Sequence, residues 1–71
     1  MLDQHSQALE YYDQAINIDP SNEMFYNNRG LSYEHLGDCE QALSDYQTAL
    51  TINPDYQIAK DNIEYVRVNC Q

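Results

Sequence analysis

Apolar side chains recur along this chain at intervals of three and four, the spacing that lines one face of an α-helix. Ala8, Leu9, Tyr12, Ala15 and Ile16 form one such stripe, and Ala42, Leu43, Tyr46, Ala49 and Leu50 form another. Each stripe runs into a proline, at Asp19-Pro20 and Asn53-Pro54, and proline disfavours helical backbone at the residue before it. Between the stripes, Met24, Phe25, Asn28, Leu31, Ser32 and Leu36 outline a further helix that Gly37 can end in a left-handed cap. Asp38 then stands where an N-cap belongs. A last segment sets Ala59, Ile63 and Val66 on one stripe. The pattern predicts an all-α chain of four helices, over 4–18, 23–36, 39–52 and 56–69. Connections this short make sequential helices antiparallel neighbours.

The two proline-ended stripes are copies of one another. Shifting the sequence by 34 residues aligns Leu2 with Leu36, Gln7-Ala8-Leu9 with Gln41-Ala42-Leu43, and Tyr12 with Tyr46. It also aligns Ala15 with Ala49, Ile18 with Ile52 and Pro20 with Pro54. That is eight identities in the first twenty aligned positions, where unrelated sequence of ordinary composition gives about one or two. Beyond Pro20 the match falls to Asn28 with Asn62. A fixed period of this length is the mark of a stacked helical repeat.

These residues resemble the tetratricopeptide repeat. The family's signature reads here as Tyr26-x2-Arg29-Gly30-x2-Tyr33, then Ala42-x3-Tyr46, then Pro54, with Gly37-Asp38 and Ala49 also in place. The resemblance implies a helix-turn-helix solenoid, a fragment of a right-handed superhelix. Residues 23–56 would be one complete repeat, residues 1–22 the second helix of an incomplete preceding one, and residues 57–71 a C-terminal capping helix. The residue types fit that packing physically. Gly30, Ala42 and Ala49 are small where helices approach closely, and Tyr26, Tyr33 and Tyr46 fill the space between helix pairs. Arg29 departs from the family, which usually has Leu there. Its stem is expected to lie along apolar surface with the guanidinium in water, in a structural, salt-bridging role rather than a ligand-binding one.

The capping assignment comes from the same alignment. Lys60, Glu64 and Arg67 replace Tyr26, Gly30 and Tyr33 in the last helix, giving the polar outer face that solenoid ends need. The first helix instead keeps Ala8, Tyr12 and Ala15, the apolar face that a preceding helix would cover, and is expected either to have been cut from one or to await a partner.

Composition narrows the function. Twelve acids against three Lys and Arg give a net charge of −9, which argues against nucleic-acid or anionic-membrane partners. No apolar run is long enough to span a bilayer. Two cysteines are too few for a disulfide scaffold, so Cys39 is expected as a half-buried free thiol and Cys70 as one on a frayed end. Free thiols place the chain in a reducing, cytoplasmic compartment. His5 and His35 are the sole histidines, and no metal-binding or phosphate-loop motif is present. No enzyme activity, metal or cofactor is expected.

In the resembling family, the first helices of successive pairs line a concave groove that binds peptides or protein segments. Here that resemblance selects Met24, Asn27, Asn28, Leu31, Glu34 and His35, with Ile58, Asp61, Asn62 and Tyr65 from the last helix. Side-chain amides can hydrogen-bond an extended peptide, and Met24, Leu31 and Tyr65 offer apolar contact. A subset of the family clamps chaperone carboxylates with Lys, Asn and Arg. Asn28 matches, but the Lys and Arg positions hold Ile58 and Asn62, and the negative charge repels an acidic tail. The expected partner is a protein or peptide, neutral or basic. The alternative is self-association, with Ala8, Tyr12 and Ala15 pairing in a homodimer.

Overall fold

The computed structural model describes residues 4–70. It contains α1 (Gln4–Ile18), α2 (Glu23–His35), α3 (Cys39–Ile52) and α4 (Gln57–Asn69), with no strand among the described residues. Positions 1–3, which include Leu2 of the internal repeat, and Gln71 lie outside the described residues. All four predicted helices are present. Their bounds differ from the expectation by one residue at Leu36, which is the C-cap of α2, and at Tyr56, which is the N-cap of α4.

Local chemistry sets the ends. Asn22 caps α2 by accepting a hydrogen bond from the Met24 amide at 2.9 Å. At the other end Gly37 adopts a φ of 86°. Its amide donates to the Glu34 carbonyl at 3.0 Å, and the Asp38 amide donates to Tyr33 at 2.9 Å. These two bonds satisfy carbonyls that the end of a helix would otherwise leave open. Asp38 immediately starts α3 by accepting from the Gln41 amide at 3.2 Å. The two proline turns are built alike, since Asp19 accepts from the Ser21 amide and Asn53 from the Asp55 amide.

The helices stack in chain order. α2 packs most extensively on α3, α1 lies against α2 alone, and α4 covers α3 with a small contact to α2. Their antiparallel alternation leaves α2 and α4 parallel and side by side. The molecule is a slab of 35 × 30 × 15 Å. The core is the seam under α3, where Ala42, Tyr46, Ala49, Ala59, Ile63 and Val66 are buried. Gly30 makes the α2–α3 approach possible. A Cβ there would sit 2.7 Å from Tyr46 Cε1, closer than carbon atoms pack, and a tight 3.2 Å from the Ala42 carbonyl oxygen.

The cysteines correct the sequence reading. Cys39 and Cys70 are not free thiols but are joined in a disulfide, their Cα atoms 5.9 Å apart. The stack brings the first residue of α3 beside the C-cap of α4, so a separation of 31 residues closes into one covalent link. The ground that free thiols offered for a reducing, cytoplasmic compartment falls with them. No helix among the described residues is long and apolar enough to cross a membrane.

Candidate functional site

Arg29 is the hub of the α1–α2–α3 layer. Its Nε and Nη2 donate to the two carboxylate oxygens of Asp45 at 2.9 and 2.7 Å, and its Nη1 donates to Asp13 Oδ1 at 2.9 Å. The guanidinium also sits 5.7 Å from the Tyr26 ring centroid and 6.0 Å from that of Tyr33. Arg29 thus makes the structural salt bridges expected of it, and its guanidinium, expected in water, is instead engaged by two carboxylates. Hydrogen bonding to Asp45 raises the Arg29 pKa further above its already high ordinary value. Asp45 is only 3% exposed. The sequence offers Asp45 only as an acid beside Tyr46, and its burial depends on Arg29 arriving opposite it. The position equivalent to Arg29 in α4 is Ile63, an aliphatic core residue, so this ionic tie belongs to the first layer.

The candidate groove is the face shared by the parallel helices α2 and α4. Met24, Ile58 and Tyr65 are exposed there, at 51%, 55% and 55%. Asn28, Leu31 and Asn62 are half-buried, and Asp61 is exposed with its carboxylate accepting from Gln57 Nε2 at 2.9 Å. Four of the expected groove residues, Asn27, Asn62, Glu34 and His35, are tied to other helices. Asn27 is 2% exposed and accepts a hydrogen bond from Asn62 Nδ2 at 3.0 Å. Its amide ties α2 to α4 and does not face a partner, which corrects its place in the groove. Glu34 accepts from the Tyr46 hydroxyl at 2.8 Å. His35 stacks on His5 of α1, with ring centroids 4.4 Å apart, on the side of α2 away from α4.

The buried Tyr46 phenol shows what this packing does electrostatically. Desolvation, followed by its hydrogen bond to Glu34, pushes its pKa well above the ordinary tyrosine value. Burial raises Tyr33 and Tyr56 as well. Among the described residues there is no group of three or more His, Cys, Asp or Glu placed to hold a metal ion.

A second surface lies at the other end of the stack. Ala8, Tyr12 and Ala15 are half-buried, whereas their repeat equivalents Ala42, Tyr46 and Ala49 are fully buried. The difference is that α3 is packed between α2 and α4, whereas α1 lies against α2 alone. Next to this face a cleft of about 300 Å³ is lined by Tyr11, Gln14, Ala15, Ile18, Asp19 and Phe25. Tyr11 and Ile18 are largely exposed. Sequence reasoning missed Tyr11, Ile18 and Phe25. The available signal was Phe25, which stands where α4 has the fully buried Ala59.

Stacked helical hairpins of fixed period, with a polar and aromatic face on the first helix of each pair, define a repeat-built protein-interaction module. The Tetratricopeptide repeat family pattern matches residues 24–56, and a second pattern, TPR repeat, matches residues 2–37. The chain belongs to the tetratricopeptide-repeat family. It is 40% identical over 52 residues to Protein STIP1 homolog of Dictyostelium discoideum, covering 73% of this chain and 9% of that protein. Over 64 residues it is 31% identical to the Heat-shock protein cognate (HSC) co-chaperone sgt12 of Aspergillus fumigatus, covering 90% of this chain and 19% of that protein. Human Serine/threonine-protein phosphatase 5 is 35% identical over 52 residues, covering 73% of this chain and 10% of the phosphatase. The chain thus spans less than a fifth of the length of these relatives. No solved structure gives a significant match.

Proposed function

We propose that this chain binds an extended protein segment on the face formed by α2 and α4, without catalysing a reaction. The observation that carries this reading is the exposure of Met24, Ile58 and Tyr65 on two parallel helices that also present Asn28, Asp61 and Asn62. Exposed apolar anchors supply affinity, and the Asn28 amide between them can pair with a peptide backbone. Two of the relatives are named as co-chaperones or phosphatases, and protein recognition is the part of such proteins that a repeat module can supply. The preferred segment is neutral or basic, because a net charge of −9 repels an acidic one. Ile58 and Asn62 stand where a carboxylate clamp would need cations.

An array of immobilised peptides graded from acidic to basic, probed with the purified chain, tests this. Neutral and basic sequences should bind, and Tyr65→Ala together with Asn28→Ala should weaken them. Preference for acidic peptides, or retention by the double variant at full strength, would sink the reading.

A second reading has its own support in the half-buried Ala8, Tyr12 and Ala15. Two copies could cover these faces mutually across a two-fold axis. Sedimentation equilibrium over a wide concentration range should then detect a dimer that Tyr12→Glu dissociates. A monomer throughout would eliminate it.

A further inference from the structure

We propose that the Cys39–Cys70 disulfide is a thiol-responsive latch that sets whether α4 is docked, and through α4 controls the binding face. The part concerning binding rests on the groove reading above; the part concerning α4 does not.

The reason lies at the two ends of α4, since its middle is packed into the core through Ala59, Ile63 and Val66. Where Asn22 caps α2 with a side-chain hydrogen bond, the equivalent residue at α4 is Tyr56, which makes no such bond. The helix buries Ala59, Ile63 and Val66 against α3, and Asn62 bonds to Asn27 of α2. Beyond Val66, Arg67, Val68 and Asn69 are all exposed. The far end of α4 is therefore fastened by Cys70, its C-cap, to the first residue of α3. Its near end is tethered by the Asn53–Tyr56 connection, where Asn53 also donates to Glu23 of α2 at 2.8 Å. With both ends fastened, α4 cannot peel away without dragging the start of α3. With the disulfide open, it can.

Both cysteines are half-buried rather than sealed in the core, so a small thiol can approach. The exchange is balanced with a dithiol reductant. Its thiolate attacks one sulfur and forms a mixed disulfide, and the other cysteine leaves as a thiolate and takes a proton. The second thiol of the reductant then closes its own disulfide, releasing the remaining cysteine. The chain gains two electrons and two protons, and the dithiol loses them. Asp61, Asn62 and Tyr65 all ride on α4, so its release breaks the face that they share with α2.

The experiment is hydrogen–deuterium exchange on the full chain with and without dithiothreitol, with thiol alkylation and intact mass reporting the redox state. On reduction, exchange in α4 should rise about tenfold or more, while α2 and α3 stay within about twofold, and reoxidation should restore protection. Cys70→Ser should show the fast α4 pattern and ignore the reductant. Unchanged α4 exchange, or loss of protection in α2 and α3 in step with α4, overturns the latch. Those two results are readable on the wild-type chain even if Cys70→Ser does not fold. A basic peptide from the array should lose at least about fivefold in affinity on reduction. Equal affinity in both states, with α4 open, overturns control of binding. No affinity in either state, with α4 exchange responding as expected, supports the latch and removes the groove reading instead.

Discussion

Arg29 holds the buried carboxylate of Asp45 through two nitrogens, at 2.9 and 2.7 Å, and so joins α2 to α3 at a position where the repeat family usually has an aliphatic residue. The same guanidinium reaches Asp13 on α1 at 2.9 Å. One side chain thus ties three helices. The family solution at this point is apolar packing, and here it is an ion pair whose acid is almost wholly removed from water.

Removing one partner from such a pair strands a buried charge, whereas removing both does not. Arg29→Leu should cost about 3–5 kcal/mol of unfolding free energy. The double variant Arg29→Leu with Asp45→Ala should recover most of that loss. Urea unfolding of the four members of the cycle measures it. Additive losses in the double variant would show that the two residues act independently.

The two glycines answer different needs and predict different outcomes. Gly30→Ala brings a Cβ to 2.7 Å from the buried Tyr46 ring, and should cost about 1–3 kcal/mol despite alanine's better helix propensity. Gly37→Ala meets no atom within 4 Å. It should still cost about 1–2 kcal/mol, because its φ of 86° disfavours a residue with a Cβ. Adding Tyr46→Phe, which keeps the ring, should rescue neither. Thermal melts compare all of these, and a Gly30→Ala chain as stable as the parent would contradict the close approach.

Stability should fall in alkali, and Tyr46 is one cause. Its pKa is raised in the folded chain, so the folded state keeps its proton more tightly than the unfolded state. That contribution is complete below the ordinary tyrosine pKa of about 10, and is lost as pH rises toward the folded value. Tyr46→Phe should lose about 1 kcal/mol near neutral pH, for want of the bond to Glu34. Its stability should then fall less steeply above about pH 10. Parallel slopes for the two chains would show that Tyr33 and the other phenols carry the alkaline effect.

Asn62→Ala separates holding the groove together from contacting a partner. It leaves the buried Asn27 amide without its bond and should cost about 1–3 kcal/mol. Asn28→Ala, at a half-buried position on the same face, should change stability by less than about 0.5 kcal/mol. Chemical denaturation gives the comparison. An equal loss at both positions would show that Asn28 too is structural.

Much of the stack was readable in the chain. The stripes around Tyr12 and Tyr46, the proline ends and the Gly37-Asp38 turn led directly to four helices with nearly correct bounds. Ala42, Tyr46 and Ala49 were expected at the helix seam, and all three are fully buried there, as is Ala59. The candidate face was less readable. Asn27 looked like an exposed groove residue, and its burial depends on where Asn62, 35 positions away, comes to rest. His35 carries the same lesson, since it faces His5 and not the last helix.

What the sequence by itself determined is the local order: helix starts and stops, the small residues that permit close approach, and the repeat that sets how one hairpin follows another. Hydrophobic period, capping and backbone sterics act within a few residues, so they are present in the string of letters. The tertiary structure alone decided which polar groups lie inside and which cysteines meet. Asp45 is buried because Arg29 arrives opposite it, and Cys39 is bonded because the end of α4 returns to the start of α3. Such pairings depend on contacts between distant residues, and those exist only once the helices are stacked.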